Sequence, residues 1–256
     1  MILTDTHTHL YANQFDEDRE EMIKRCFDDE IIRLFLPNID TTSVDGMMEL
    51  VYQYPENCFP MIGIHPCSVN ENWRKELDDY VELLKKNKFY AIGEIGIDLY
   101  WDKTTLGIQQ AAFEAQIILA KEKKLPIVIH ARDSFDEIFK IVDKHNDENL
   151  TGIFHCFTGT KEQAQKIIDY KGFMIGIGGV VTFKNAGLDK VVKEIPMEHL
   201  VLETDSPYLA PHPYRGKRNE SSFLKVIAHK IAEIHEVSLE EVANITTENS
   251  KAIFGI

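Results

Sequence analysis

The sequence predicts an α/β fold of the (β/α)8 TIM-barrel class, with additional C-terminal helices, in a single domain spanning residues 1–256. Three observations lead there. Short apolar runs rich in Ile, Val and Phe alternate with longer amphipathic stretches about eight times along the chain. The runs are apolar almost throughout, which marks strands buried on both faces, and helical connections between them impose parallel pairing. Eight such units exceed the roughly five or six strands usual in an open doubly wound sheet and fit a closed barrel.

In chain order the strands are expected at residues 2–6, 31–37, 59–64, 90–94, 127–130, 152–155, 173–177 and 200–204. The stretch 16–30 between the first two is acidic and helical, with its charges on a solvated face. Helical periodicity is plain at 110–123 and at 161–170. Residues 221–254 supply two further helices broken at Val237-Ser238. There the Ser238 hydroxyl caps the second helix, and Glu240 and Glu241 suit its positive first turn. Two glycine clusters, Gly93-Glu-Ile-Gly96 and Gly176-Ile-Gly-Gly179, lack dinucleotide-binding spacing and mark places where the backbone turns tightly or approaches a ligand closely. No repeat, low-complexity tract or linker interrupts the chain.

A 44% hydrophobic and 27% charged composition is that of an ordinary globular protein. No apolar run approaches the ~20 residues that span a bilayer. The start, Met1-Ile-Leu-Thr-Asp-Thr-His7, has no basic region followed by an apolar stretch, so no secretory signal is expected. Cys26, Cys58, Cys67 and Cys156 form no CxxC pair and read as reduced thiols, consistent with a cytoplasmic location. The net charge of −14 argues against a globally basic face gripping long duplex DNA. The one compact cationic cluster is Arg215, Lys217 and Arg218.

The chemistry lies at the strand ends. His7 and His9 follow the first strand at i and i+2, so their side chains share a face and can meet one cation. Glu94, His130, His155 and Asp205 are expected at the ends of the fourth, fifth, sixth and eighth strands, on the rim where barrels of this class carry their active sites. Four imidazoles and two carboxylates suit two divalent cations ~3.5–4 Å apart sharing a bridging carboxylate and a water. Burying six titratable groups without partners would cost several kcal/mol each, and bound metal resolves that cost. The carboxylates suit Mg2+ or Mn2+ as the working ions, while the imidazoles would also let Zn2+ occupy the site.

The segments Asp5-Thr-His-Thr-His-Leu10, Gly63-Ile-His-Pro66, Ile92-Gly-Glu-Ile-Gly-Ile-Asp98, His130-Ala-Arg-Asp133, His155-Cys-Phe-Thr-Gly159, Glu203-Thr-Asp-Ser-Pro-Tyr-Leu209 and Pro213-Tyr-Arg-Gly-Lys-Arg-Asn219 resemble the TatD family of metal-dependent deoxyribonucleases, a branch of the amidohydrolase-like barrels. The resemblance spans nearly the whole chain. It implies that His7, His9 and Asp205 hold one metal and His130 and His155 the other, with Glu94 bridging, and it puts His65 near the bound phosphate. The expected reaction is phosphodiester hydrolysis by a metal-activated water, exonuclease-like on single-stranded DNA ends, with Asp205 accepting the proton.

His65 reads equally as a structural residue before Pro66. Arg132 either pairs with Asp133 or reaches substrate, as Arg215, Lys217 and Arg218 would from their loop. Asp98 or Glu203 would orient a ligand. Tyr100, Trp101, Tyr208 and Tyr214 lie where an aromatic could stack a terminal base or simply pack a loop. No obligate protein partner is evident. The same metals could hydrolyse an ester or amide, such as the aminoacyl bond of a tRNA. A non-catalytic metal-binding protein is a third reading, disfavoured because structural sites are usually closed and Cys-rich.

Overall fold

Eight parallel strands and nine α-helices alternate along the chain in the computed structural model, which describes residues 1–256. The strands are β1 (Leu3–Asp5), β2 (Ile31–Pro37), β3 (Cys58–Met61), β4 (Ile92–Asp98), β5 (Ile127–Arg132), β6 (Gly152–Phe154), β7 (Phe173–Ile177) and β8 (Leu200–Leu202). The helices are α1 (Arg19–Asp28), α2 (Val44–Gln53), α3 (Trp73–Lys86), α4 (Leu106–Lys123), α5 (Phe135–His145), α6 (Lys161–Asp169), α7 (Leu188–Val192), α8 (Leu224–His235) and α9 (Leu239–Phe254).

Regular pairing runs in two arcs, β1-β2-β3 and β4-β5-β6-β7-β8. Two narrow seams join them. At one, Ile62 bridges Ile92, and the Gly93 amide donates to the Ile62 carbonyl at 3.0 Å. At the other, Thr8 bridges Ser206, and the Thr6 amide donates to the Leu202 carbonyl at 3.0 Å. The strands thereby close into the expected (β/α)8 barrel, which leaves no sheet edge to satisfy.

The buried apolar residues divide as such a barrel requires. A large cluster lies between strands and helices, drawing on Leu34, Leu36, Ile95 and Ile97 from the strands and Ile138, Val142, Ile227 and Ile231 from the helices. A smaller one fills the lumen with Phe35, Phe59, Met61, Ala91, Val128, Ile153 and Val201. Phe254, at the end of α9, joins that second cluster and stacks its ring on Phe35 at 3.7 Å. The C-terminal helix thus stoppers one end of the lumen, and the chemistry is confined to the other.

The tail breaks where expected. Glu236 takes a left-handed conformation after α8, and the Ser238 hydroxyl accepts from the Glu241 amide at 3.1 Å. However, α8 completes the eighth βα unit, so α9 alone is additional. Six strands differ from the expected bounds, four of them by one or two residues at an end and two, β3 and β4, by more. β3 pairs regularly only to Met61, and β4 runs from Ile92 past Glu94 to Asp98. Glu94 is therefore inside its strand rather than at its end. A charged residue normally terminates an apolar run, but here the run continues in Ile95 and Ile97, which pack outward. A register shift in the β4–β5 pairing between Ile92 and Ile95 accompanies the site of Glu94, as irregularities that re-aim a side chain commonly do.

Candidate metal centre

Six side chains expected from the sequence to meet at the barrel mouth do so. His7 and His9 stand just beyond β1, Glu94 and His130 project from β4 and β5, His155 directly follows β6, and Asp205 lies three residues past β8. Glu94 is the hub, and its two oxygens face different partners. Oε2 is 3.1 Å from His7 Nε2 and 3.9 Å from His9 Nε2. Oε1 is 2.6 Å from His130 Nδ1, 3.5 Å from His65 Nε2 and 3.7 Å from His155 Nε2. Asp205 Oδ1 spans the groups, 3.6 Å from His9 Nε2 and 3.9 Å from both His7 Nε2 and His155 Nε2.

These separations are near those of donors sharing a cation with bonds of ~2.0–2.2 Å. The residues fit such ions on a further count. His7 is fully buried, yet neither ring nitrogen has a hydrogen-bond partner, an uncommon and costly state that coordination at Nε2 would relieve. Imidazole and carboxylate donors suit borderline to hard divalent cations, and although Cys156 lies beside His155 and Asp205, burial pushes its thiol well up and disfavours the thiolate.

Around the donors lies a layer that orients them. Tyr11 donates its phenol proton to the Pro37 carbonyl at 2.6 Å, so it must accept from His9 Nδ1 at 2.8 Å. That fixes the proton on Nδ1 and leaves the His9 Nε2 lone pair facing the site. Asp98 Oδ2 holds His130 Nε2 at 3.0 Å. Glu203 Oε1 lies 2.9 Å from His155 Nδ1, off the line of a well-formed hydrogen bond, and also accepts from the Cys156 amide. Gly176 makes room for this carboxylate, since a Cβ there would collide with Glu203. Gly96, with φ of +145°, likewise lets β4 pass the His130 carbonyl. Gly96 and Gly176 thus make room for protein groups rather than for a ligand.

Helix α4 adds two buried amides that the sequence reading missed. Gln109 accepts from the Asp98 amide at 2.8 Å and Gln116 from the Ile64 amide at 2.7 Å, which fastens the segments carrying Asp98 and His65. Their signal was two polar residues seven apart on the otherwise apolar buried face of the helix.

The charges respond to this crowding. Burial opposes charge on His130 and His155, but neighbouring carboxylates outweigh it. Asp98 and Glu94 lift His130 to about 9, and Glu203, Glu94 and Asp205 lift His155 to about 10. Burial likewise pushes Glu94 upward, yet the imidazoles of His65, His7 and His155 hold it well below the usual carboxylate range. His7 goes the other way, lowered by burial and by His155. An anionic hub ringed by imidazoles is what a cation would meet here.

The residues expected to contact substrate divide. His65 joins the site, with Nδ1 accepting from the Cys67 amide at 3.1 Å. In the neutral ring its proton therefore sits on Nε2, which can donate to an anion but cannot coordinate metal. Arg132 is exposed, forms no ion pair with Asp133, and stacks over Tyr100 at 3.8 Å. Arg215 and Lys217 are exposed without carboxylate partners, Arg215 lying over the Phe183 ring at 4.4 Å. Arg218 departs from expectation. It forks onto Asp18 with contacts of 2.6 and 2.8 Å and reaches the Gln14 carbonyl, so its charge is committed within the protein. Tyr214 is stacked on Phe223 at 4.0 Å and packs its loop. Tyr208 stays partly exposed, 6.1 Å from the His9 ring.

All four cysteines are free, and no helix is long and apolar enough to cross a membrane. The family model described as TatD related DNase matches residues 4–255. The chain is 44% identical, over the full length of both proteins, to the uncharacterized metal-dependent hydrolase YabD of Bacillus subtilis. It is 32% identical to the 3'-5' ssDNA/RNA exonuclease TatD of Citrobacter rodentium, covering 98% of this chain and 97% of that one. Among solved structures, the TatD homologue YJJV of Escherichia coli K12 superposes with a TM-score of 0.93 at 25% identity, over 99% of this chain and 98% of that one. The chain belongs to the TatD-related DNase family and is a metal-dependent hydrolase.

Proposed function

We propose that the protein hydrolyses phosphodiester bonds at the ends of single-stranded DNA in the cytoplasm, with two divalent cations bridged by Glu94. The observation that carries this reading is the division of Glu94, whose oxygens face His7 and His9 on one side and His130 and His155 on the other. One carboxylate between two sets of imidazoles is what a pair of cations needs. The relatives named as 3'-5' ssDNA/RNA exonucleases support the choice of substrate class.

When bound, Mg2+ or Mn2+ would neutralise charge on the phosphoryl oxygens and make water more acidic, and Zn2+ could occupy the same donors. His7, His9 and Asp205 would hold one ion, His130 and His155 the other. Asp205 keeps 15% side-chain exposure against 4% for Glu94, which favours it as the carboxylate that meets water. As water attacks phosphorus, Asp205 accepts its proton, and the bond to the leaving nucleoside oxygen breaks with that oxygen taking a proton from solvent. His65, with Nε2–H turned to the site, donates to a non-bridging phosphate oxygen. Arg132, Arg215 and Lys217 are unpaired cations able to hold the following phosphates. Their local charge offsets an acidic body that disfavours long duplex.

The test is to incubate metal-stripped protein with end-labelled single-stranded DNA, adding back Mg2+ or Mn2+, beside a panel of carboxyl esters and amides. Trimming from an end only with metal, and lost in His155→Ala, is the expected result. No trimming, or equal activity in His155→Ala, overturns it. Faster hydrolysis of an aminoacyl ester than of DNA would move the reading to acyl transfer.

A further inference from the structure

Beside the metal centre, at the C-terminal ends of β4 and β5, lie the most exposed tryptophan of the chain and an arginine without a carboxylate partner. Trp101 is 71% exposed and Tyr100 is 54% exposed, and their rings meet edge to face at 4.9 Å. The Arg132 guanidinium lies over Tyr100 at 3.8 Å and 5.5 Å from the Trp101 ring centre. Exposing two large aromatics side by side forgoes the burial that normally stabilises them, so the pair needs an explanation.

The group is fastened to the site. Asp98, whose Oδ2 holds His130, uses its Oδ1 to accept from the Tyr100 and Trp101 amides at 2.9 and 3.3 Å. Asp98 and Arg132 are register partners across β4 and β5, and Arg132 follows His130 by two residues. Next to Trp101, which does not itself line it, an open cleft of about 610 Å³ is walled by Tyr100, Arg132, Ser134, Thr158 and Thr160. The carboxylates of Asp133, Asp136 and Glu137 are also on its lining, so that Arg132 is its one cationic side chain for a phosphate. That volume falls within the ~300–1,000 Å³ of small-molecule sites. Its walls offer hydroxyls, a planar cation and a π face together.

We propose that Trp101, Tyr100 and Arg132 form a nucleotide grip in which an unpaired base stacks on Trp101 while the Arg132 guanidinium, held flat by Tyr100, takes the adjacent phosphate. This rests on the phosphodiesterase reading above and adds to it the element that selects unpaired strands. Base stacking on an aromatic tolerates any sequence but requires the base to leave its duplex partner. Arginine pre-ordered by stacking presents two parallel donors to a phosphate at reduced entropic cost.

Oligothymidylate binding to full-length protein tests the grip without cleavage. The chain has two tryptophans, and Trp73 is only 4% exposed, so quenching on titration reports Trp101. Saturable quenching by oligothymidylate, and little by an abasic strand of equal length, is expected. Read instead by the anisotropy of fluorescein-labelled strands, Trp101→Ala should weaken binding of the base-bearing strand about tenfold and leave the abasic strand unchanged, with Trp101→Phe restoring most of the affinity. Arg132→Met should lower the slope of log affinity against log salt by about 0.7 for both strands. In turnover, Trp101→Ala should raise KM with kcat unchanged. Equal affinities of wild type and Trp101→Ala, or equal quenching by the abasic strand, overturn the grip even if ends are trimmed. If wild-type protein trims nothing, the exonuclease reading falls, and the binding titrations alone decide the grip.

Discussion

The Tyr11 phenol stands 2.8 Å from His9 Nδ1 and 2.6 Å from the Pro37 carbonyl oxygen. Having one proton and giving it to the carbonyl, it acts on His9 as an acceptor, so one hydroxyl decides which His9 nitrogen is free for metal. Tyr11→Phe removes the acceptor, and the ring is then free to adopt the other tautomer. Because supporting groups of this kind are typically worth ~10–100-fold in metal affinity, a loss in that range is expected. Competition titration against a chromogenic chelator measures it, with circular dichroism confirming that the fold is kept. Unchanged affinity would mean that His9 does not depend on Tyr11.

Glu94 makes a sharper demand. Glu94→Gln keeps the shape but removes the charge that faces imidazoles on both sides. A cation that binds only the folded state at 100 times its dissociation constant adds ~2.7 kcal/mol of stability. In a chain of this size that is a rise of about 5–10 °C in Tm. Adding Mn2+ to stripped wild-type protein should give such a rise, and Glu94→Gln should give little or none while binding fewer equivalents of metal by elemental analysis. A full Tm response in Glu94→Gln would refute the hub.

What the sequence made legible follows from how each residue signals. Near-continuous apolar runs made the barrel readable, because a strand buried on both faces must be apolar. His7, His9, His130, His155 and Asp205 were readable because ionisable residues next to such runs have few inexpensive roles. Glu94 was expected at a strand end and lies inside β4 instead, since its charge masked the continuation through Ile95 and Ile97. Tyr11, Gln109 and Gln116 were not seen, because a single polar residue among apolar ones does not say which backbone it will meet. Arg218 was read as a substrate contact because sequence shows a cationic cluster but not Asp18, 200 residues away, folded against it.

That pairing predicts an acid response. Asp18 is drawn down to about 2 from 3.8, first by its hydrogen bond with Arg218, with partial burial opposing and Arg25 adding. Glu220, which Arg25 holds at 2.7 Å, is lowered as well, its hydrogen bond from Arg25 outweighing the effect of burial. A carboxylate with a depressed folded value contributes stability that is complete above its ordinary pKa and disappears as pH falls through the folded one. The cluster should therefore stabilise fully above about pH 5 and progressively less toward pH 2. Arg218→Met should lower the urea midpoint at pH 6, and the gap from wild type should narrow by pH 2.5. Chelator in every sample removes metal effects. A gap that stays constant with pH would show that Arg218 stabilises by packing over Phe15, whose ring it covers at 4.5 Å, rather than by charge.

The stopper at the far end of the lumen separates stability from chemistry. Phe254 stacks on Phe35, which stacks in turn on Phe59 at 4.9 Å, and it is 6% exposed. Phe254→Ala removes a ring from a lumen otherwise closed by strand side chains, and neighbours fixed in a barrel can collapse only partly into the gap. A loss of about 3–5 kcal/mol is expected, the usual cost of deleting a buried ring. The six side chains of the metal centre come from the opposite ends of the strands, so metal stoichiometry and KM of the folded fraction should match wild type. Chemical denaturation measures the first quantity, and elemental analysis with end-labelled DNA the second. A variant that folded normally but lost metal would show that α9 governs the site, and the division between the two ends of the barrel would fail.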